Sequence, residues 1–463
     1  MARAKRFSGL KLKRGFRRFA TYASEKVRHA RSSYQGWRNR SHDEAGDYPR
    51  RAVITGIGAI TVLGLDTPTT WRGLVEGKSG IGPITQFDPG NLPVRIAGEV
   101  KGFDPLNYVE PKEARRMARC SQFAVAAAKE ACTDSGLKIG KDVKADRTGV
   151  VVGTALGGFE MVDNGLQEYR QFGYKRSNPF ALPAALPNAA GHHISTTLGA
   201  KGPLKTPVAA CASGTEAIGD AAELVRRGQA DVVFAGGVEA TVIEGAIVAF
   251  SLMRVLSTHH NDQPQQAGRP FDKTRDGFVY SEGCVVMVVE ELEHAIARGA
   301  HIYAEVLGMG VSSDAYHIAI PDPEAGGPIR AMQWALQDAK IDAVHIEYIN
   351  AHGSGTPTND PLETMAIKQV FGEQAYNIPV SSTKSMVGHA MGAAGAIEAL
   401  STVLTIKHGI IPPTINLNTP DPECDLDYVP NVARHKEVDI AMSNSFGLGG
   451  QNACVLFGKI VQP

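Results

Sequence analysis

The chain has 463 residues, 43% hydrophobic and 21% charged, close to the globular average, which excludes a disordered chain, a collagen-like one and a disulfide scaffold. Lys plus Arg equals Asp plus Glu at 48 each, yet the first fifty residues hold 14 of the bases and only 4 of the acids. A head near +10 therefore precedes a body of 34 basic and 44 acidic residues, near −10, whose bulk charge argues against nucleic-acid binding.

Residues 1–49 mix Arg and Lys with Phe, Tyr, Trp and Ser, and they lack the continuous apolar run of a secretory signal or membrane span. They read as a basic N-terminal extension, either a disordered, solvated tail able to touch anionic surfaces or an organelle presequence. The first reading places the protein in the cytoplasm, the second in a mitochondrion or plastid. No run of 18 apolar residues occurs anywhere, so no transmembrane segment is expected.

The folded body opens at residues 51–64, a β-branched apolar run broken by glycines, the pattern of a strand buried on both faces. Residues 69–76 and 113–136 predict helices, the second ending at a glycine stop, and 148–153 predicts another buried strand. Residues 173–189, rich in Pro, Asn and Phe, read as an irregular connection, and 231–238 as a further strand. Alternating strands and helices argue for an α/β fold with mainly parallel, buried sheets. In residues 208–228 an apolar strand end meets Cys211 and then a helix stopped by glycine. The layout recurs at 346–356, where His352 follows a strand and a helix over 360–370 comes next. Residues 302–313 echo the first strand. These echoes predict a duplicated body, with one half over 50–300 and the other over 301–463.

Chemistry concentrates in a few places. The six cysteines have no C-x-x-C pair and no zinc spacing, so reduced thiols and no metal site are expected. A helix starting at Cys211 would aim free N–H groups and its dipole at the sulfur, favouring a thiolate nucleophile. An inert cysteine in a tight Ala/Gly contact fits the same spacing. His352 lies in a flexible polar turn, and the glycines and alanines around His389 let a ligand or another backbone approach. Taken singly, either histidine also fits a satisfied core position. Lys384 and Glu398 can pair as a buried ion pair. Residues 444–452 form a glycine-rich stretch with no Lys-Ser/Thr after it, so a mobile gate swinging Phe446 is expected there and a phosphate loop is not.

Taken together, A-C-A-S-G at Cys211, N-A-H-G at His352, T-K-S-M-V-G-H from Lys384 to His389, G-A-A-G-A-I-E ending at Glu398 and N-S-F-G-L-G-G at Phe446 carry a resemblance. The set resembles the condensing enzymes of fatty-acid synthesis, and within them the β-ketoacyl-acyl-carrier-protein synthase II group, over about residues 51–458. Thiolases and the initiating synthases have Cys-His-Cys and Cys-His-Asn triads instead. The resemblance implies a thiolase-like five-layered αβαβα fold from two similar halves, usually a homodimer. It further implies no cofactor beyond the phosphopantetheine that acyl carrier protein brings.

By the same resemblance Cys211 takes an acyl chain as a thioester, while His352 and His389 promote decarboxylation of malonyl carrier protein. Lys384, held by Glu398, supports the histidines, and the backbone N–H groups of Cys211 and Phe446 form the oxyanion hole. Asp360 and Glu363 buttress the site, Ser354 and Thr356 bind the pantetheine arm, and Leu156 lines the acyl pocket. Lys112, Arg115, Arg116 and Arg254 match a basic patch for the acidic carrier protein. Against the family pattern, Ser354 and Gly355 depart in the pantetheine turn, and Leu448 and Gln451 in the gate stretch. Rival readings are a polyketide ketosynthase, a non-elongating relative such as a chain-length factor, and a cysteine hydrolase or acyltransferase.

Overall fold

Strands of Val, Ile, Ala and Gly survive in the middle of a sheet only if both faces are covered. The computed structural model, which describes residues 50–460, contains a succession of such strands. They are β1 (Ala52–Ile60), β2 (Thr148–Gly153), β3 (Leu204–Lys205), β4 (Val232–Glu239) and β5 (Gly283–Glu291), then β6 (Ala304–Ser313), β7 (Tyr348–Asn350), β8 (Val380–Ser381), β9 (Ile440–Gly447) and β10 (Gln451–Gly458). Their spatial order is β3-β2-β4-β5-β1-β6-β10-β9-β7-β8. The centre is a narrow junction, where β1 meets β6 only through Val53 with Glu305 and Ile54 with Ala304. Outward from it, both sides read antiparallel, antiparallel, parallel, parallel.

The pairing is therefore mixed, where mainly parallel sheets were expected. A strand covered on both faces is apolar throughout, so its composition says nothing about the direction of its neighbours.

Helices complete five layers. On the outside of the β1 side lie α1 (Arg119–Asp134) and α2 (Ala189–Leu198). Between the two groups of strands lie α3 (Ser213–Arg226) and α6 (Ala394–His408). Against β6 and β10 packs α4 (Gly326–Ala339), with α5 (Asn359–Phe371) beside it. This is the thiolase-like αβαβα arrangement. Helix α6 is buried without a break from Ala394 to Ile406, as a helix must be that has a sheet on either side. It touches α3 backbone to backbone. A Cβ on Gly395 would stand 2.1 Å from Thr215 Oγ1, and one on Gly214 would stand 2.7 Å from Ala396 N.

Three local expectations change. The helix over 113–136 is two pieces, Pro111–Ala114 and α1, because Ala118 is extended. The break lets Arg119 reach buried Glu282 through Nε and Nη2, at 3.0 and 2.8 Å. Residues 444–452 are a hairpin rather than a loop: Asn444–Gly447 finish β9, and only Leu448–Gly450 turn, with Gly449 and Gly450 at φ 84° and 72°. Lastly, strand order makes β7, which His352 follows by two residues, the counterpart of β2. The counterpart of the Cys211 turn, Ala210–Ala212, is the turn Met391–Ala393 ahead of α6. A strand, a reactive residue and a helix recur at every crossover, so the layout alone matched Cys211 to the wrong segment. The basic extension, residues 1–49, lies outside the described residues.

Gly395→Ala should lower stability by about 1–3 kcal/mol through overpacking, read as a lower thermal midpoint. Gly245→Ala, where nothing lies within 4 Å of the new Cβ, should stay within about 0.5 kcal/mol of the parent.

Candidate active site

A nucleophile must leave its helix to meet a substrate, and the backbone before Cys211 does this. Ala210 is left-handed, at φ 49°, a conformation that costs a non-glycine residue roughly 1–3 kcal/mol. Cys211 follows in the single turn ahead of α3 and lines a cavity of about 590 Å³.

The two histidines and Lys384 converge beside Cys211 from two segments, one bearing His352 and the other Lys384 and His389. His389 Nε2 is 3.0 Å from Cys211 Sγ. Its backbone is clamped on both sides: the His389 N–H donates to Val279 O at 2.7 Å, and its carbonyl accepts from Ser281 N at 3.1 Å. The Phe278 ring stands edge-on to the imidazole, 5.0 Å away, and His389 Nδ1 is buried without a partner. The His352 ring lies 5.4 Å from that of His389, nearly perpendicular. Lys384 Nζ donates to His352 O at 2.6 Å, approaches His352 Nδ1 at 3.3 Å and is tightly paired with Glu398. With an ammonium on Nδ1, the ring proton must sit on Nε2.

Two carboxylates hold this frame. Glu363 on α5 accepts the N–H groups of His352 and Gly353 at 2.8 and 2.7 Å. Glu398 on α6, besides Lys384, accepts from Ser445 Oγ at 3.2 Å. Asn444 Nδ2 reaches Glu363 at 3.4 Å, so consecutive residues of β9 brace both acids. These roles of Asn444 and Ser445 were missed in the sequence, although both stand in the quoted motif, because the stretch was read as a loop. Asp360 accepts from Phe271 N at 2.7 Å and from Gly355 N at 3.1 Å, tying the turn after His352 to the Phe271 segment of the first half.

Electrostatically the site is dry. Burial, helped by the charge of Lys384, holds both histidines well below the ordinary imidazole range, so they are neutral at pH 7. Burial pushes Glu363 and Glu398 up to about 7 and also raises Asp360. The Cys211 thiol is pushed up to about 11. This corrects the expectation of a thiolate: the helix terminus and Lys384 favour the anion, but loss of water around a fully enclosed sulfur outweighs them.

Other expected residues divide. Ser354 and Thr356 line the cavity, their hydroxyls 3.3 Å apart. Phe446 is expected to supply the second oxyanion donor, whereas the N–H group beside the sulfur, other than that of Cys211, belongs to Leu448. The backbone N–H groups of Leu448 and of Cys211 face the sulfur, and the neighbouring Gly447 lies against Cys211 N. Phe446 lies within β9 opposite Asn452, its ring 5.9 Å from that of His352. The N–H of Leu156 is turned to Glu239 at 3.3 Å. The apolar wall of the Cys211 cavity is made by Phe250, Phe278 and Met391. None of the three stands in the motifs that carry the resemblance, so no sequence signal marks them. Lys112 and Arg115 are exposed, whereas Arg116 pairs with Glu113 at 3.1 Å and covers the Phe180 ring. Arg254, left-handed at φ 57°, is exposed and lines the cavity. Among the described residues, no group of three or more His, Cys, Asp or Glu is placed to hold a metal ion.

Comparison with known proteins follows the same lines. Residues 50–295 match the profile of "Beta-ketoacyl synthase, N-terminal domain", and residues 303–418 that of "Beta-ketoacyl synthase, C-terminal domain". The 3-oxoacyl-[acyl-carrier-protein] synthase 2 of Synechocystis sp. is 48% identical over 410 residues, covering 89% of this chain and 98% of that protein. Among solved structures, the ishigamide ketosynthase/chain length factor superposes with a TM-score of 0.83 at 36% identity, covering 89% of this chain and 99% of its own. The AntDE:AntF complex, a type II polyketide acyl-carrier protein with its ketosynthase bound to the hexaketide, gives 0.82 at 33%, covering 89% and 100%.

A thiol with a pKa near 11 predicts that iodoacetamide alkylation of Cys211, followed by peptide mass, keeps accelerating well past neutral pH. A plateau below about pH 8.5, the ordinary thiol range, would refute the raised pKa.

Proposed function

The chain belongs to the β-ketoacyl synthase family, and we propose that the Cys211 cavity lengthens an acyl chain by decarboxylative condensation with malonyl carrier protein. The carrying observation is the Lys384 contact with His352 Nδ1, at 3.3 Å, because it dictates which nitrogen bears the proton. A hydrolase using Cys211 and one imidazole has no need of that arrangement.

In the first half-reaction Cys211 Sγ attacks the thioester carbonyl of an acyl carrier protein, and the thiol proton passes to His389 Nε2. A thiol near pKa 11 is poorly ionised at rest, so the proton leaves as the S–C bond forms. The C–S bond to pantetheine breaks, and the departing thiolate takes the proton. The acyl group now sits on Cys211. In the second half-reaction malonyl carrier protein enters, its C–C bond to the carboxylate breaks, and CO2 leaves. The electron pair becomes an enolate whose oxygen is met by the N–H groups of His352 and His389. His389 can offer one because its unpartnered Nδ1 leaves the tautomer free once the thiol proton is gone. The carbanion attacks the Cys211 thioester, and the tetrahedral oxyanion faces the N–H groups of Cys211 and Leu448. Collapse releases β-ketoacyl carrier protein and returns the Cys211 thiolate to be reprotonated.

The fatty-acid reading is favoured over the polyketide one by identity: 48% to the Synechocystis synthase against 33% to the type II polyketide ketosynthase of the AntDE:AntF complex. Ser354 and Thr356 would bind the pantetheine arm. Exposed Lys112, Arg115 and Arg254 suit an acidic carrier protein, with Arg254 at the cavity opening. A second copy of the chain would cover the helix Phe159–Phe172, which has no buried residue and exposes Phe159, Leu166, Tyr169 and Phe172. Among the described residues no helix is long and apolar enough to cross a membrane.

The test is intact mass after incubation with a medium-chain acyl carrier protein, then product analysis after adding malonyl carrier protein. The parent should gain one acyl group and then yield β-ketoacyl product, and Cys211→Ala should do neither. Lys384→Ala should still load the acyl group but lose about 100-fold or more in condensation. An unacylated parent would sink the elongation reading.

A further inference from the structure

Glu239, the last residue of β4, plays no part in the chemistry above, yet it is a fully buried carboxylate. Among the described residues no ion pair reaches it. What reaches it is a set of donors from two segments. Ala155 N–H donates at 2.8 Å, Leu156 N–H and Thr154 Oγ1 at 3.3 Å, and from the other half of the chain Gly392 N–H donates at 3.2 Å. Among the described residues the groups hydrogen-bonded to it are three backbone N–H groups and one hydroxyl.

Gly392 belongs to the turn three residues beyond His389. Thr154 in turn reaches the nucleophile: its carbonyl lies 3.2 Å from Ser213 Oγ and shares that hydroxyl's single proton with the closer Ala210 O at 2.7 Å, while Ser213 Oγ accepts from Ala209 N at 2.9 Å, two residues before Cys211. A run of polar contacts therefore joins the turn of Cys211, through Ser213, Thr154 and Glu239, to the turn of His389. The steric surroundings leave it no slack. A Cβ on Gly392 would meet Ala155 N at 2.4 Å, and one on Gly237 would meet Gly392 O at 2.5 Å and Gly214 Cα at 2.9 Å.

We propose that Glu239 is a positioning residue for the condensation, its carboxylate pinning the Met391–Ala393 turn to residues 154–156 and so holding His389 Nε2 against Cys211 Sγ. A carboxylate suits the place because its two oxygens share three backbone N–H groups and the Thr154 hydroxyl. An amide could turn its NH2 to Thr154 Oγ1, which can accept, but it would leave one oxygen for three N–H groups, and one of those links would weaken. Burial raises this carboxyl to about 7, which is the cost of keeping an acceptor-only group there.

The proposal rests on the condensing reading, so its test contains that reading as a control. Glu239→Gln in the full chain, checked for folding by circular dichroism, should keep KM for acyl carrier protein within about twofold. Its kcat for condensation should fall roughly 10–100-fold, as for a small misplacement of reacting groups. Alkylation of Cys211 by iodoacetamide should slow as well, and that readout needs no carrier protein. Ser213→Ala opens the run at its other end and should show the same kcat loss at unchanged KM. The double variant should lose no more than the worse single one, the mark of one shared path. A folded Glu239→Gln with parental kcat and alkylation rate would overturn the proposal, and so would additive losses in the double variant. Should Glu239→Gln not fold, Ser213→Ala decides: an unchanged kcat and alkylation rate overturns the idea. A parent that forms no β-ketoacyl product would instead fault the functional reading, and alkylation would still measure whether Glu239 holds the site.

Discussion

The backbone contact between α3 and α6 at Gly214 and Gly395 is the constraint from which the site follows. Two helices that cross without side chains between them bring their N-terminal turns close together. One turn carries Cys211, and the other follows directly on His389. With β4 and β9 against the same helices, Glu239 reaches the second turn, and Asn444 and Ser445 reach Glu363 and Glu398, from strands rather than from mobile loops. A sulfur-to-imidazole distance of 3.0 Å is thus set mainly by backbone packing. Packed interiors hold such distances because they have no cheap way to relax.

Placing this chemistry in the middle layer has an electrostatic consequence. Each titratable group there loses water, so each drifts toward its neutral form, upward for Cys211, Glu239, Glu363 and Glu398 and downward for both histidines. The ion pair of Lys384 with Glu398 keeps a cation in the dry layer, beside His352 Nδ1. Neutral imidazoles with N–H groups on the cavity side suit an enolate that appears only after CO2 has left. Imidazolium ions would instead hold the malonyl carboxylate in place and oppose its loss. Burial therefore selects the protonation states on which the condensation depends.

Much of this was legible in the chain itself. Cys211, His352, Lys384, His389 and Glu398 stand in short motifs whose residue types are demanded by the chemistry, and the structure brings all five together. The family, and with it the layered fold, could be read from the same motifs. The errors fell where neighbours outside the motif decide. Leu448 was counted as a departure from the family pattern and Phe446 as the donor, yet the tight turn of a hairpin swings the Leu448 N–H to the sulfur. Phe250, Phe278 and Met391, which line the Cys211 cavity, carry no motif and come together only in the fold.

What the amino-acid sequence determined by itself is the reactive inventory and the strand-forming runs, because nucleophile, imidazoles, lysine and glycines are properties of residue type and local spacing. Only the tertiary structure decided the direction of neighbouring strands, the counterpart of the Cys211 turn, the tautomer of His352 and the upward shift of the Cys211 thiol. Each of these depends on groups that lie far apart along the chain, from Thr154 to Glu398, and on the water that their packing removes. Neither distance in space nor loss of solvent is encoded in local spacing.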